Sequence, residues 1–273
     1  MIAGRAPPSI GYNAAMAGRD EEELLGVARE AACAAALELR PRFGQRARDV
    51  RVKSTPTDLV SEADIRAESA IREVLTRRRP GDAILGEEGG ATGQGEVRWL
   101  VDPLDGTINF LFGIPAFAVS IACEDAEGTI AGVVLDPIRE ECFAATRSGE
   151  ATLNDEPIRA SDSADLATAM VATGFGYDAS VRARQAAVLT RVLPRVRDIR
   201  RVGAAALDLA WCACGRFDAY YERGVKAWDV AAGAVIASRA GLEIRFVPAE
   251  GEDAPGIVAA PKGIVDELLE LVE

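Results

Sequence analysis

The chain has 273 residues, 49% hydrophobic and 27% charged, an ordinary globular balance with enough length for one large domain or two closely packed halves. Its net charge of −12 repels a phosphate backbone, so nucleic-acid binding is not expected as its task, and no apolar run approaches the roughly 18–20 residues of a membrane span. The absence of histidine excludes a Ser-His-Asp triad, a Cys-His pair and any histidine metal site. Hydrolytic chemistry in this chain must run on carboxylates, hydroxyls, lysines or oxygen-loving metals.

Residues 1–20 carry Pro7, Pro8 and little hydrophobic pattern. They lack the apolar middle of a secretory signal and read as a flexible extension of a cytoplasmic protein whose catalytic domain is 21–273. Asp20 is placed to cap a helix running to about Arg40, where Pro41 stops it. The turn chemistry of Lys53-Ser-Thr-Pro-Thr-Asp58 predicts a loop. Ser61 starts a second helix that ends before Pro80. Ala83-Ile84-Leu85 is a short strand, and Trp99-Leu100-Val101 a buried one ending at Asp102. Between Ala116 and Thr146, strand-like runs alternate with turns and predict an antiparallel meander. Asn154-Asp155-Glu156-Pro157 is a turn, with a seam between the two halves near 155–165.

In the second half, strands are expected at Met170–Ala172, Phe217–Tyr221 and Ile257–Ala259. Helices are expected at Val181–Leu193, Ala204–Cys214, Trp228–Arg239 (apolar nearly all round, hence buried) and Gly263–Val272. Clustered strands with helices between them predict a layered α+β fold. The cysteines Cys33, Cys123, Cys142, Cys212 and Cys214 lack the paired spacing of a zinc site and read as small buried thiols.

The densest chemistry lies in Asp102-Pro103-Leu104-Asp105-Gly106-Thr107. Pro103 fixes the backbone, and the Leu104 carbonyl is free to point with the two carboxylates, which makes a compact oxygen cluster suited to Mg²⁺. Ile108-Asn109-Phe110 looks like the start of a helix, whose free N–H groups suit phosphate. A metal would also answer the acidity of the protein, which by itself repels a phosphate ester. Taken singly, the other acids have plainer readings. Glu87 and Glu88 are solvated, Asp229 complements a helix dipole, and Asp64, three residues after Ser61, belongs to a capping box.

Together they form a pattern. Lys53 to Asp64, Gly86-Glu87-Glu88-Gly89, Asp102 to Phe110, Gly132 to Pro137, Thr173-Gly174-Phe175, Arg201 to Ala206 and Trp228-Asp229-Val-Ala-Ala-Gly233 occur in this order. From about Glu21 to the C-terminus the chain resembles the inositol monophosphatase family. The resemblance implies the layered α/β/α/β/α sandwich shared with fructose-1,6-bisphosphatase. It implies two or three Mg²⁺ ions: Glu87, Asp102 and the Leu104 carbonyl on one, Asp102, Asp105 and Asp229 on a second, and Glu87 facing a weaker third.

By the same resemblance, Thr107 paired with Asp64 orients and deprotonates the attacking water. The Gly106 and Thr107 amides hold phosphate oxygens together with Asp105. Gly203, Ala204, Ala205 and Glu222 meet the alcohol, and Lys53 stands on a loop beside the metals, although its plain reading is a solvated lysine. Lys226 could also reach anions. Inhibition by Li⁺ and a homodimer are further family expectations. The implied reaction is hydrolysis of a small polyol phosphate, first of all inositol monophosphate.

Three positions depart from the common pattern. Ala204 replaces the usual Ser or Thr, Leu242 a frequent second Gly, and the Ser148-Gly149-Glu150-Ala151 turn lacks the usual extra glycine beside Gly149. Ala204 weakens the case for inositol phosphate. Fructose 1,6-bisphosphate, histidinol phosphate and NADP remain as sibling substrates, and a binding or regulatory protein that lost its catalysis remains as a rival of another class.

Overall fold

The computed structural model describes residues 10–45, 50–53 and 59–273. The first helix, α1, spans Ile10–Leu39. It begins ten residues before the expected cap at Asp20, so the proposed 1–20 extension is helical from Ile10; residues 1–9 lie outside the described residues, as do 54–58 of the predicted Lys53–Asp58 loop. The short strands β1 (Arg51–Val52) and β2 (Leu59–Val60) pair antiparallel and bracket that loop. Ser61 caps α2 (Glu62–Arg78), its hydroxyl accepting from the Ala63 amide at 3.2 Å.

The first half then lays down β3 (Ala83–Gly86), β4 (Gly90–Thr92), β5 (Arg98–Asp105), the five-residue helix α3 (Thr107–Leu111), β6 (Ala118–Asp125), β7 (Gly128–Asp136), β8 (Glu141–Thr146), β9 (Thr152–Leu153) and β10 (Glu156–Pro157). These strands form one sheet in the order β10-β9-β8-β7-β6-β5-β3-β4, in which only β3 and β5 run parallel. The expected meander is its β6–β8 portion.

The second half supplies β11 (Met170–Thr173), α4 (Ala179–Val192), β12 (Asp198–Arg200), α5 (Ala205–Ala213), β13 (Ala219–Arg223), α6 (Ala227–Arg239), β14 (Glu243–Val247), β15 (Gly256–Ala260) and α7 (Val265–Val272). Its strands form a second sheet ordered β12-β11-β13-β15-β14.

Alternation along the strands explains the layering. On β6, Val119, Ile121 and Cys123 join the core shared with α1 and α2, whereas Ala118 and Ala122 join the core shared with α5 and α6. The second sheet presents Ala172, Tyr220 and Ala259 to that same middle core, and Val171, Ala219, Tyr221 and Val258 to an outer core closed by α4 and α7. The result is the α/β/α/β/α sandwich. Small residues set its spacing: a Cβ at Gly132 of β7 would stand 2.7 Å from the Cα of Ala232, so α6 rests directly on the sheet there. Four of the cysteines are buried or half-buried, but Cys33 is exposed, against the expectation for it, and all five are free.

Candidate active site

An open cleft of about 580 Å³ lies where the two halves meet, lined from the first by Lys53, Glu87, Asp102, Leu104, Asp105, Gly106 and Thr107 and from the second by Gly203, Ala205, Glu222 and Asp229. Local backbone accidents gather these groups. In a regular strand, residues three apart face opposite sides. On β5, however, Asp102 pairs with Ser120 and Asp105 with Ala118, three residues against two. The extra residue is a β-bulge beside Pro103, which has no N–H to give the ladder, and it brings both carboxylates to the same side. Gly106 then turns the chain at φ +92°, a left-handed conformation that glycine adopts without strain.

Asp64 completes the capping box expected from its position and also meets Thr107. Its Oδ2 accepts from the Ser61 amide (2.9 Å) and hydroxyl (2.7 Å), completing the helix cap, while Oδ1 accepts from the Thr107 hydroxyl at 2.9 Å. Thr107 Oγ1 also stands 3.1 Å from the Leu104 carbonyl oxygen. Both residues are buried, and burial pushes the Asp64 carboxyl above its ordinary range despite the bonds that oppose the shift.

Each carboxylate of the central cluster has turned to the nearest donor. Asp105 accepts from the Ala205 amide at 3.0 Å and the Ala206 amide at 2.7 Å, at the start of α5. Asp102 accepts from the Leu104 amide at 2.9 Å, Asp229 from the Lys226 amide at 2.6 Å, and Glu87 from Lys53 Nζ at 2.7 Å. As they stand, no three His, Cys, Asp or Glu side chains among the described residues are drawn tightly enough around one point to hold an ion.

The charges nevertheless strain against one another. Burial, then the charges of Glu87, Asp105 and Asp229, push the Asp102 carboxyl well above its ordinary range. Burial raises Asp105 to about 7 against three helix amides, and burial chiefly raises Asp229. Three aspartates, a glutamate and a main-chain carbonyl form an all-oxygen donor set whose mutual repulsion a hard divalent cation would relieve, so the residues fit Mg²⁺ by their chemistry.

Lys53 is not the solvated lysine of its plain reading. It is half-buried and forms ion pairs with both Glu87 and Glu88, which together hold its ammonium charged above its usual range although burial opposes this. Glu88, read from sequence as solvated, is half-buried, and burial pushes its carboxyl up to about 7.

On the second-half side of the cleft, Tyr220 donates to Glu222 Oε2 at 2.7 Å. A Cβ at Gly174 would collide with that oxygen, so a side chain there would displace the Glu222 carboxylate. Ala204, expected to meet substrate, does not line the cleft. It is 2% exposed, with its Cβ against Gly106. Its neighbours Gly203 and Ala205 do line it. Two groups near the cleft, Tyr220 and Asp208, escaped sequence reasoning, and Arg201, which lines it, was named there only as the start of the Arg201–Ala206 motif. Asp208 is buried on α5, with both carboxylate oxygens lacking a hydrogen-bond partner among the described residues. The only sequence signal for it was an acid on an otherwise apolar helix.

The model of the inositol monophosphatase family matches residues 20–271. The chain belongs to the inositol monophosphatase family. A Mycobacterium tuberculosis protein named inositol-1-monophosphatase SuhB is 47% identical over 231 residues, 81% of this chain and 80% of the relative. A Xylella fastidiosa protein named Nus factor SuhB is 45% identical over 206 residues, 75% and 74% of the two chains. Among solved structures, extragenic suppressor protein suhB from Bartonella henselae superposes with a TM-score of 0.84 at 35% identity, over 92% of this chain and 98% of that one. The fold and the enzyme class, a phosphoric monoester hydrolase, follow from this membership. No helix among the described residues is long and apolar enough to cross a membrane.

Proposed function

We propose that this phosphatase is Mg²⁺-dependent and hydrolyses a small polyol phosphate, inositol monophosphate first, by direct attack of water. The observation that carries the proposal is Asp102, a buried carboxylate lining the cleft and pressed by Glu87, Asp105 and Asp229. Glu87, Asp102, the Leu104 carbonyl, Asp105 and Asp229 would hold two ions, with Glu87 facing a third. Bound Mg²⁺ would lower the pKa of the attacking water, screen the phosphate and stabilise the departing alkoxide.

The residues of the chain supply the rest. Thr107 cannot act as a strong base, but its hydroxyl, already bonded to Asp64 Oδ1, orients a water and passes a proton to that carboxylate. The first-turn amides of α3, from Gly106 and Thr107, face phosphate oxygens. Gly203, Ala205 and the Tyr220-supported Glu222 face the alcohol. Lys53 balances Glu87 and Glu88 beside the cluster. Lithium inhibition and dimerisation belong to the same reading.

The Nus-factor name of the Xylella relative offers a second reading, a binding protein without catalysis. The retained Asp64–Thr107 bond and the four cleft carboxylates favour hydrolysis, because a binding surface needs neither. A panel of inositol, fructose, histidinol and nucleotide phosphates, ranked by kcat/KM with and without Mg²⁺, tests the proposal. Metal-independent turnover, or none on any ester, would sink it.

A further inference from the structure

A small cavity of about 20 Å³ lies behind the second-half wall of the cleft, and Gly174, Phe175, Glu222 and Arg223 line both spaces. Gln185 and Val188 of α4 and Tyr221 of β13 also line the cavity. Such a volume holds roughly one water. This stretch of wall is therefore backed by space rather than by close packing alone, and its position depends on how its two segments are tied. Gly174 lies against the Glu222 carboxylate, so a shift of one segment is felt by the other.

The two segments leave adjacent strands. β11 and β13 run parallel, and their last pair is Thr173 with Tyr221. Gln185 takes over where that ladder stops. Its Oε1 accepts from the Gly176 amide at 2.8 Å, and its Nε2 donates to the Arg223 carbonyl at 3.2 Å. A side-chain amide carries the same donor and acceptor as a peptide, so it joins the two main chains as another strand would. The helix that carries it is itself tied near its start. Asp178 accepts from the Ser180 amide at 2.8 Å, Arg182 donates to the Tyr177 carbonyl at 2.7 Å, and Arg184 Nε donates to Asp253 at 2.8 Å. Of the 14 residues of α4 only Val192, at its far end, is buried, so polar side chains hold the helix to the body beside the cleft.

We propose that Gln185 is a positioning residue for the alcohol: it fixes the gap between the Gly174–Gly176 segment and the Glu222–Arg223 strand end, and so sets how tightly a polyol is held. Gln185 does not line the cleft itself and acts only through the segments it joins. The inference rests on the phosphatase reading above, which gives Glu222 to the alcohol, and adds a residue outside the cleft that governs the fit.

The test compares inositol 1-phosphate, whose alcohol is a ring of hydroxyls, with p-nitrophenyl phosphate, whose alcohol offers none, on the full chain with Mg²⁺. Gln185→Leu, close in size, removes both bonds and should lower kcat/KM for inositol 1-phosphate by about tenfold, the order of one net hydrogen bond, mainly through KM. Turnover of p-nitrophenyl phosphate should stay nearly unchanged. Gln185→Glu keeps an acceptor for the Gly176 amide but, ionised, has no proton for the Arg223 carbonyl, and should lower the same ratio. Thermal unfolding shows whether the variants fold. A merely structural Gln185 would depress both esters alike and leave their ratio intact. A ratio that neither variant lowers, loss of folding in both, or wild-type turnover of p-nitrophenyl phosphate without inositol 1-phosphate overturns the inference and leaves a phosphatase standing. Failure of the wild type on both esters overturns both.

Discussion

Replacing Thr107 by Val removes one hydroxyl and almost nothing else, because the two side chains have nearly the same shape. Thr107 is buried, and its single proton serves Asp64 Oδ1 at 2.9 Å or the Leu104 carbonyl at 3.1 Å. The stability cost is limited, since Asp64 keeps both Ser61 donors on its other oxygen. One lost hydrogen bond to a carboxylate corresponds to about 1–2 kcal/mol, and the midpoint of thermal unfolding falls by about 2–4 °C for each kcal/mol. The catalytic cost is larger. Losing the proton path from water to Asp64 should lower kcat by about 10²–10⁴-fold, or about 2.7–5.4 kcal/mol of barrier. KM should change little, and Thr107→Ser should recover most of the rate. Steady-state kinetics on inositol 1-phosphate, run beside thermal melts, separate the two costs. A Val variant that keeps more than about a tenth of wild-type kcat refutes the role given to Thr107.

Asp229→Asn should abolish nearly all Mg²⁺-dependent turnover and also the rise in unfolding midpoint on adding Mg²⁺, since it removes a carboxylate from the α6 side of the cluster; near-normal turnover would remove Asp229 from the metal set. Asp105 is raised to about 7, and Asp102 and Asp229 are raised too. The folded cluster therefore holds protons above the unfolded carboxyl range, and its own stability contribution is present at low pH and lost as pH rises toward 7. Because those protons compete with metal, the stabilisation by Mg²⁺ should grow between pH 5 and about 8, and a flat urea-denaturation difference over that range would contradict the cluster. Asp208 is buried with no hydrogen-bond partner among the described residues, and burial pushes its carboxyl well above the ordinary range. Asp208→Asn should therefore stabilise the fold at pH 7 by about 1–2 kcal/mol, the gain fading as pH falls toward 4; destabilisation at pH 7 would show that the carboxylate has a partner in solution.

Periodicity located α2, α4, α5, α6, α7 and the β6–β8 meander because each buries one face against a layer. It did not find β14, where Glu243 and Arg245 interrupt the apolar pattern and Phe246 is exposed. It also began α1 at Asp20, where the acidic run looks like a cap, although the helix continues back to Ile10. Lys53, Glu87 and Glu88 all have solvated readings when taken singly. Only their meeting across the turn after β3 shows that they neutralise one another.

The order and chemistry of the site were written in the sequence. Without histidine, and with acids at 64, 87, 102, 105 and 229 around a Gly-Thr turn, the chain had few ways to hydrolyse an ester other than carboxylates and a hard metal. The tertiary structure decided which side each group faces. The bulge at Pro103 puts Asp102 and Asp105 together, the α5 amides draw Asp105 across the seam, Ala204 turns inward behind Gly106, and Arg201 lies over the Phe175 ring beside Gly203. None of these follows from residue type, because each depends on which backbone lies opposite, and that is set only when the two halves close over their shared core.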